Sequence, residues 1–278
     1  MNNKIEIDKL KTENKELTKQ IKVINEKLKE SETMKSHFLS NVMNEIINPL
    51  SSIISSSKNI FKTNDIQKSK NMANTIFSEA FDLDFQLKNI FTAAELEAGI
   101  SSPQITKLNI KDLINESVSI MKNKADKKKL IFETNISTKV HNNSFYTDSN
   151  MLILILLNLL DNAIKYSNKN NTIFINVIQS KDNLNLKIED SGRGIEKDTL
   201  QKIFDRFTKS DKNVHSLNNG HGLGLSVSKA LIDILDGKID VKSKINQGST
   251  FSINIPDFKN IIEDYSEEEN LFSEDELF

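Results

Sequence analysis

Asn158 and Asn162 lie four residues apart, so on a helix they share one face. A neutral amide oxygen can ligate a divalent cation without adding negative charge beside a polyphosphate. Lys165 follows Asn162 by three residues and places an ammonium near the same phosphates. Further on, Asp190 closes an apolar alternating run, Leu184 to Asp190. A carboxylate buried there can accept a hydrogen bond from the amino group of adenine. Gly192 and Gly194 let the chain turn tightly against a base. Phe204 and Phe207 can anchor one end of a polar, turn-prone stretch, 208–219, of the kind a mobile flap over phosphates requires. Gly220, Gly222 and Gly224, followed by Leu225, lead into a helix whose exposed N–H groups can cradle phosphate. His215 and His221 fall in the flap and read as solvated, variable positions. Each piece alone is a weak signal, since a Gly-x-Gly is usually a turn and an Asn pair usually a cap. In this order and spacing each supplies a different part of an ATP site that has no P-loop.

The elements that must hold these residues follow from periodicity. Residues 1–33 read as a coiled coil over 4–36, with Ile7, Asn14, Ile21 and Leu28 at position a and Leu10, Leu17, Ile24 and Ser31 at position d. Asn14 on the seam favours two strands in one register. The alternative is a single solvated helix lying on another surface. Residues 34–100 read as a helical hairpin. Its first helix carries Phe38, Val42, Ile46, Leu50, Ile53, Ile54 and Ile60 on one face and is interrupted by Pro49. Its turn is Lys62–Asp65, and its second helix, about 66–98, should turn Met72, Ile76, Phe77, Ala80, Leu83, Leu87, Ile90 and Phe91 inward before Gly99 ends it. Two such hairpins would make a dimeric four-helix bundle. Residues 105–257 mix helices and strands. The expected strands are 105–109, 130–136, 172–179, 184–190, 238–243 and 250–255, and the expected helices are 110–123, 151–166 and 223–235. The tail, 258–278, is acidic. The fold class is α+β: coiled coil and hairpin, then an α/β sandwich.

Composition narrows the functional classes. A net charge of −2 provides no general attraction to nucleic acid or to an anionic membrane. Without cysteine there is neither a disulfide frame nor a thiolate metal site, which suits a reducing cytoplasm. The longest apolar run, 151–157 continuing past Asn158, falls well short of the about 20 residues a membrane span needs. Direct membrane insertion is not expected, and no secretory signal is visible at the polar N-terminus.

The motifs Asn158-Leu-Leu-Asp-Asn162, Asp190-Ser-Gly-Arg-Gly194, Phe204-Asp-Arg-Phe207 and Gly220-His-Gly-Leu-Gly-Leu225 resemble the catalytic domain of sensor histidine kinases, within the wider ATPase family of gyrase, Hsp90 and MutL. The resemblance implies a mixed sheet on three helices, ATP and Mg²⁺ as ligands, Asn162 as the main Mg²⁺ ligand and Asn158 as its neighbour. It extends upstream to Phe38-Leu39, Glu45 and Pro49-Leu50, which match the acceptor helix of such kinases. One position departs: Asn44 stands where that family has the phosphoacceptor histidine, and Ile47 replaces an arginine. An amide nitrogen has its lone pair delocalised into the carbonyl and is not a nucleophile, so no phosphorylation is expected at residue 44. His37 lies on the same helical face, but about 10 Å away along the axis, too far for the same in-line transfer. Glu45 and Asn48 remain as a pair. In the family an Asn at the latter position is linked to dephosphorylating a partner response regulator, although Asn before Pro49 is also unremarkable at a helix bend.

Three functions stay open. The chain could bind ATP and phosphorylate a histidine-bearing paralogue in a mixed dimer. It could act as a phosphatase on a response regulator receiver domain through Glu45 and Asn48. It could be a non-catalytic, ATP-responsive scaffold, itself a homodimer through coiled coil and hairpin, that acts on a true kinase through heterodimerisation. A cytoplasmic location goes with all three.

Overall fold

The computed structural model describes residues 2–138, 144–205 and 222–259, and the chain divides into two compact units, Met1–Asn48 and Pro49–Phe278. The first is helical, the N-terminal run of α1 (Asn2–Ile60). Along it Leu10, Leu17, Ile21, Ile24 and Leu28 are each more than half exposed in the single chain, and Asn14 is exposed among them. Asn44 and Asn48 are exposed too. The side chains of Ile7, Ser31, His37, Phe38, Leu39 and Glu45 lie outside the described ones.

The second unit opens with Pro49, buried inside α1, where the missing N–H removes one helical bond. A short turn leads to α2 (Ile66–Ala98). Asp65 caps it, its Oδ1 accepting from the N–H groups of Gln67 at 2.9 Å and Lys68 at 3.1 Å. Gly99 ends it in the left-handed region at φ 68, as the sequence predicts. The buried face of α2 differs from the expected one. Phe77 and Phe91 are 67% and 62% exposed, whereas Phe85 and Asn89, one turn apart, are buried. The expected inward stripe over 72–91 lies on the other side of the helix; the covered face, with Phe85 and Asn89, is the one turned to the α/β layers.

Those layers comprise β1 (Thr106–Asn109), α3 (Ile110–Lys127), β2 (Ile131–Thr138), β3 (Ser144–Thr147), α4 (Ser149–Tyr166), β4 (Thr172–Gln179), β5 (Asn183–Asp190), a one-turn α5 (Lys197–Leu200), α6 (Gly224–Ile234), β6 (Lys238–Lys244) and β7 (Gly248–Pro256). Five strands form one mixed sheet in the order β2-β4-β5-β7-β6, with β2 parallel to β4 and the other pairs antiparallel. β1 and β3 pair as a separate two-stranded ribbon. Helix α4 packs against both α3 and α6, and all three helices pack on the sheet. This is the sandwich of a mixed sheet on three helices that the motifs imply.

Strand periodicity explains the layer between sheet and helices. On β4 the buried residues are Ile173, Ile175, Val177 and Gln179, and on β5 they are Leu184, Leu186, Ile188 and Asp190. On β7, Phe251, Ile253 and Ile255 continue that face. Opposite them α4 buries Leu152, every residue from Leu154 to Leu160, Ala163 and Ile164, because it is covered by α3 and α6 as well as by the sheet. α3 is four residues longer than its sequence pattern suggests; Lys124 and Lys127 in its last turn favour the dipole, and Leu130 docks after it. β3 and α5 are too short to show a periodicity in sequence. Among the described residues no helix is long and apolar enough to cross a membrane.

Candidate functional site

Asp190 is the last residue of β5 and falls on its buried parity, so the alternation that builds the core also carries a carboxylate into it. It is 6% exposed. Burial pushes its carboxyl above the ordinary 3.8, against hydrogen bonds from Gly192 and Ser249 that favour the ion. The Gly192 N–H donates to Asp190 Oδ1 at 2.8 Å.

The turn after Asp190 is clamped on two sides. On one side lies the end of α4: Ser167 bridges Gly192, and the Arg193 N–H donates to the Tyr166 carbonyl at 3.4 Å. A Cβ at Gly192 would sit 2.3 Å from that carbonyl oxygen, so no side chain fits. On the other side lies the β6–β7 hairpin. Asn246 N–H donates to the Arg193 carbonyl at 2.7 Å, and Ile195 N–H donates to Ser243 Oγ at 2.8 Å. Gly194, at φ 72, lies so close to Lys244 that a Cβ would be 2.1 Å from its carbonyl oxygen. The Arg193 guanidinium covers the Tyr166 ring, 4.7 Å from its centroid.

Asn158, Asn162 and Lys165 all lie on α4, as their spacing requires. Asn158 is buried, whereas Asn162 and Lys165 are half-buried. The Lys165 ammonium lies 5.6 Å from the centroid of the Tyr166 ring. At the C-terminal end of α4, Lys128 Nζ donates to the carbonyls of Ile164 at 2.9 Å and Lys165 at 2.6 Å, closing acceptors the helix leaves open. Gly224 begins α6 against Asn158: a Cβ there would be 2.9 Å from Asn158 Oδ1. Leu223 and Leu225 flank it, and among the described residues the N-cap position, Leu223, supplies no side-chain cap to the first turn of α6. In contrast Asp65, Asn109 and Asp148 cap α2, α3 and α4 through side-chain oxygens. A helix start without a side-chain cap from its own N-cap residue can offer its N–H groups to an anion, here beside the Asn158 amide. Gly222 precedes them in the left-handed region at φ 71.

The structure brings together Asn158, Asn162 and Lys165 on one helix, with Gly224 and Leu225 at the helix start beside it. Asp190, Gly192 and Gly194 occupy the turn against the end of α4. Phe204 is half-buried just after α5. Phe207, His215, Gly220 and His221 lie outside the described residues. Three contributors escaped the sequence reading. Arg193 was inside a quoted motif but was given no role. Lys128 and Asn89 carry no local signal, since their partners are 36 and 69 residues away.

The donor set fits Mg²⁺ carried with a polyphosphate. Among the described residues no group of three or more His, Cys, Asp or Glu could hold a metal by itself. Mg²⁺ commonly takes one or two protein oxygens and completes its shell with phosphates and water. The half-buried Asn162 amide beside a cation and an uncapped helix start is suited to that division.

Comparison with known proteins agrees with this reading of the domain. Residues 147–259 match the family described as "Histidine kinase-, DNA gyrase B-, and HSP90-like ATPase". Over 228 residues the chain is 26% identical to the circadian input-output histidine kinase CikA of Synechococcus elongatus, covering 80% of this chain and 30% of that protein. Among solved structures, full-length ShkA in complex with AMPPNP superposes with a TM-score of 0.56 at 19% identity, covering 80% of this chain and 46% of that one. Histidine kinase ThkA in complex with response regulator TrrA gives a TM-score of 0.50 at 23% identity, covering 82% and 64%. Both structural likenesses concern the fold. The chain spans between 25% and 47% of the length of the first three curated relatives it matches.

Proposed function

We propose that this chain, whose residues 147–259 carry a histidine kinase-, DNA gyrase B- and HSP90-like ATPase domain, binds ATP with Mg²⁺ and acts in two-component phosphorelay signalling as a dimeric histidine-kinase-like protein. The observation that carries the reading is the convergence of the buried Asp190, the Asn158–Asn162 face and the uncapped start of α6. In this reading Asp190 accepts from the adenine amino group, and Gly192 and Gly194 keep the base pocket free of side chains. Asn162 holds the metal, Lys165 offsets phosphate charge, and Phe204 and Phe207 anchor a flap that leads to Gly220, Gly222 and Gly224. Bound Mg²⁺ supplies charge neutralisation on the phosphates.

Asn44 occupies the acceptor position and is exposed on α1. Its amide offers no nucleophilic nitrogen, so the chain does not charge itself at residue 44. The acceptor is then a histidine on another subunit, supplied by a paralogous kinase in a mixed dimer. A response regulator receiver domain is the downstream partner in this reading; ThkA, whose fold is similar, is a histidine kinase crystallised with one. A second reading rests on Asn48, exposed one turn after Asn44 and immediately before the buried Pro49. With Glu45 it could orient a water toward a phosphoaspartate of the regulator.

The test uses γ-labelled ATP and the full chain. Wild type should bind ATP in an Mg²⁺-dependent way and take up no label, and Asn162→Ala should lose the Mg²⁺ dependence. Asn44→His should become labelled if the acceptor helix and nucleotide site are otherwise intact. Stable labelling of wild type at residue 44, or indifference to ATP, would overturn the proposal. Loss of label from a phosphorylated receiver domain, abolished by Asn48→Ala, would favour the phosphatase reading.

A further inference from the structure

Asn89 is a polar residue on the covered face of α2, only 5% exposed. A buried amide must find partners for both of its ends. Its Nδ2 donates to the Phe85 carbonyl at 3.1 Å, and its Oδ1 accepts from Asn158 Nδ2 at 2.8 Å. The direction of this chain is fixed at its far end. A backbone carbonyl can only accept, so the Asn89 nitrogen must face Phe85 and the Asn89 oxygen must face α4. Asn158 then has to present its nitrogen to α2. Its oxygen is left on the side of Gly224, where a Cβ would lie 2.9 Å from it. A flipped Asn158 amide would set two oxygens against each other in a buried place, losing a bond and leaving both unsatisfied. Asn158 is itself 3% exposed, so water cannot repair the mismatch.

A second tie holds α2 at the same place. Lys124 of α3 bridges Asp82 of α2 at 3.2 Å and Asp161 of α4 at 2.5 Å. Asp82 and Asn89 are two turns apart on one face of α2, and Asp161 is the residue before Asn162.

We propose that Asn89 is a positioning residue for the nucleotide site: it orients the Asn158 carboxamide with its oxygen toward the start of α6, so that α2 of the hairpin sets the metal-dependent part of nucleotide affinity. The inference rests on the ATP reading above. Its consequence is reciprocal. If the docked α2 strengthens Mg²⁺–nucleotide binding, bound Mg²⁺–nucleotide strengthens the docking of α2 by the same factor. A signal that shifts α2 reaches the nucleotide site through the Asn89–Asn158 hydrogen bond, beside the Lys124 bridge.

The experiment is calorimetric titration of the full chain with ATP, in Mg²⁺ and in EDTA. In wild type the ratio of the two affinities defines the metal-dependent gain. Asn89→Leu removes the acceptor and should reduce that gain about tenfold, the low end of what loss of an outer partner of a metal site produces. Binding in EDTA, which leans on Asp190 and the base, should stay as in wild type. In an Asn158→Ala background Asn89→Leu should have no further effect, a result that a merely structural role for Asn89 would not produce. Circular dichroism melting checks that each variant is folded, and Asn89→Ser, too short to reach Asn158, replaces the leucine variant if that one is not. A full metal-dependent gain in a folded Asn89→Leu or Asn89→Ser protein would overturn the inference and leave the ATP reading standing. A wild type that ignores ATP would overturn both.

Discussion

At the scale of single residues, Asp190 shows how a core position becomes a recognition group. Its neighbours on the same parity, Leu184, Leu186 and Ile188, are apolar and buried. The carboxylate in the fourth place is destabilised by burial, so its proton is held more tightly than in the unfolded chain. A carboxyl raised in this way adds stability only while protonated. That contribution is present below the ordinary 3.8 and is lost as pH rises through the raised value. Asp190→Asn has no such loss. The variant should therefore gain melting temperature relative to wild type on going from pH 4 to pH 7, while its affinity for ATP at pH 7 falls by at least about tenfold, a hydrogen bond to a charged group being worth about 1.5–3 kcal/mol. Thermal melts at the two pH values check the first statement and titration checks the second. A relative stability that is flat with pH would mean the carboxyl does not titrate differently in the folded state.

At the scale of elements, legibility depended on how local the forces were. Gly99 and the Lys62–Asp65 turn were readable because a left-handed cap and an Asp N-cap act within a few residues. The β6–β7 hairpin was readable from Asn246 and Gly248, which both sit at positive φ. The Asn158/Asn162 face was readable because helical spacing is fixed. What could not be read was contact between elements distant in sequence. Phe85 and Asn89 lie on the opposite side of α2 from the apolar stripe through Ile76, Leu83, Leu87 and Ile90, and nothing local says which side meets the sheet layers. Lys124 is a case in point. In sequence it is one lysine among several near the end of α3; in the fold it joins three helices. Its side chain is 35% exposed, so its worth lies between that of a surface pair and a buried one. Burial opposes its charge, and Asp161 and Asp82 outweigh that opposition and hold its pKa above the usual lysine value. Lys124→Met should lower stability by about 1–2 kcal/mol, since it keeps the apolar stem but leaves two carboxylates without their cation. Urea denaturation measures it. An unchanged midpoint would mean that solvent screens the bridge fully.

At the scale of the whole molecule, the proposed role of Asn44 and the exposed apolar stripe of α1 bear on each other. Leu10, Leu17, Ile21, Ile24 and Leu28 present an apolar stripe along α1 that a single chain leaves in water. Asn14 interrupts the stripe at a position where a buried Asn selects two strands and one register at some expense in stability. If, as proposed, the chain does not charge itself, such a seam serves best when the partner helix belongs to a chain that carries the histidine. The phosphoryl group would then leave ATP held by this chain and arrive on the partner, with the coiled coil supplying the encounter as an intramolecular event of high effective concentration. Leu17→Glu with Ile24→Glu puts two charges on the seam and should convert the protein to a monomer in sedimentation equilibrium without changing its affinity for ATP. Incubated with γ-labelled ATP and a histidine-bearing paralogue whose own nucleotide site is disabled, wild type should transfer label to the paralogue, and the double variant should transfer about a hundredfold less at micromolar protein, the low end of the gain that tethering gives over free encounter. Equal labelling by the monomeric variant would show that the seam does not deliver the acceptor. The absence of label with either protein would instead favour a dimer that senses ATP without passing it on.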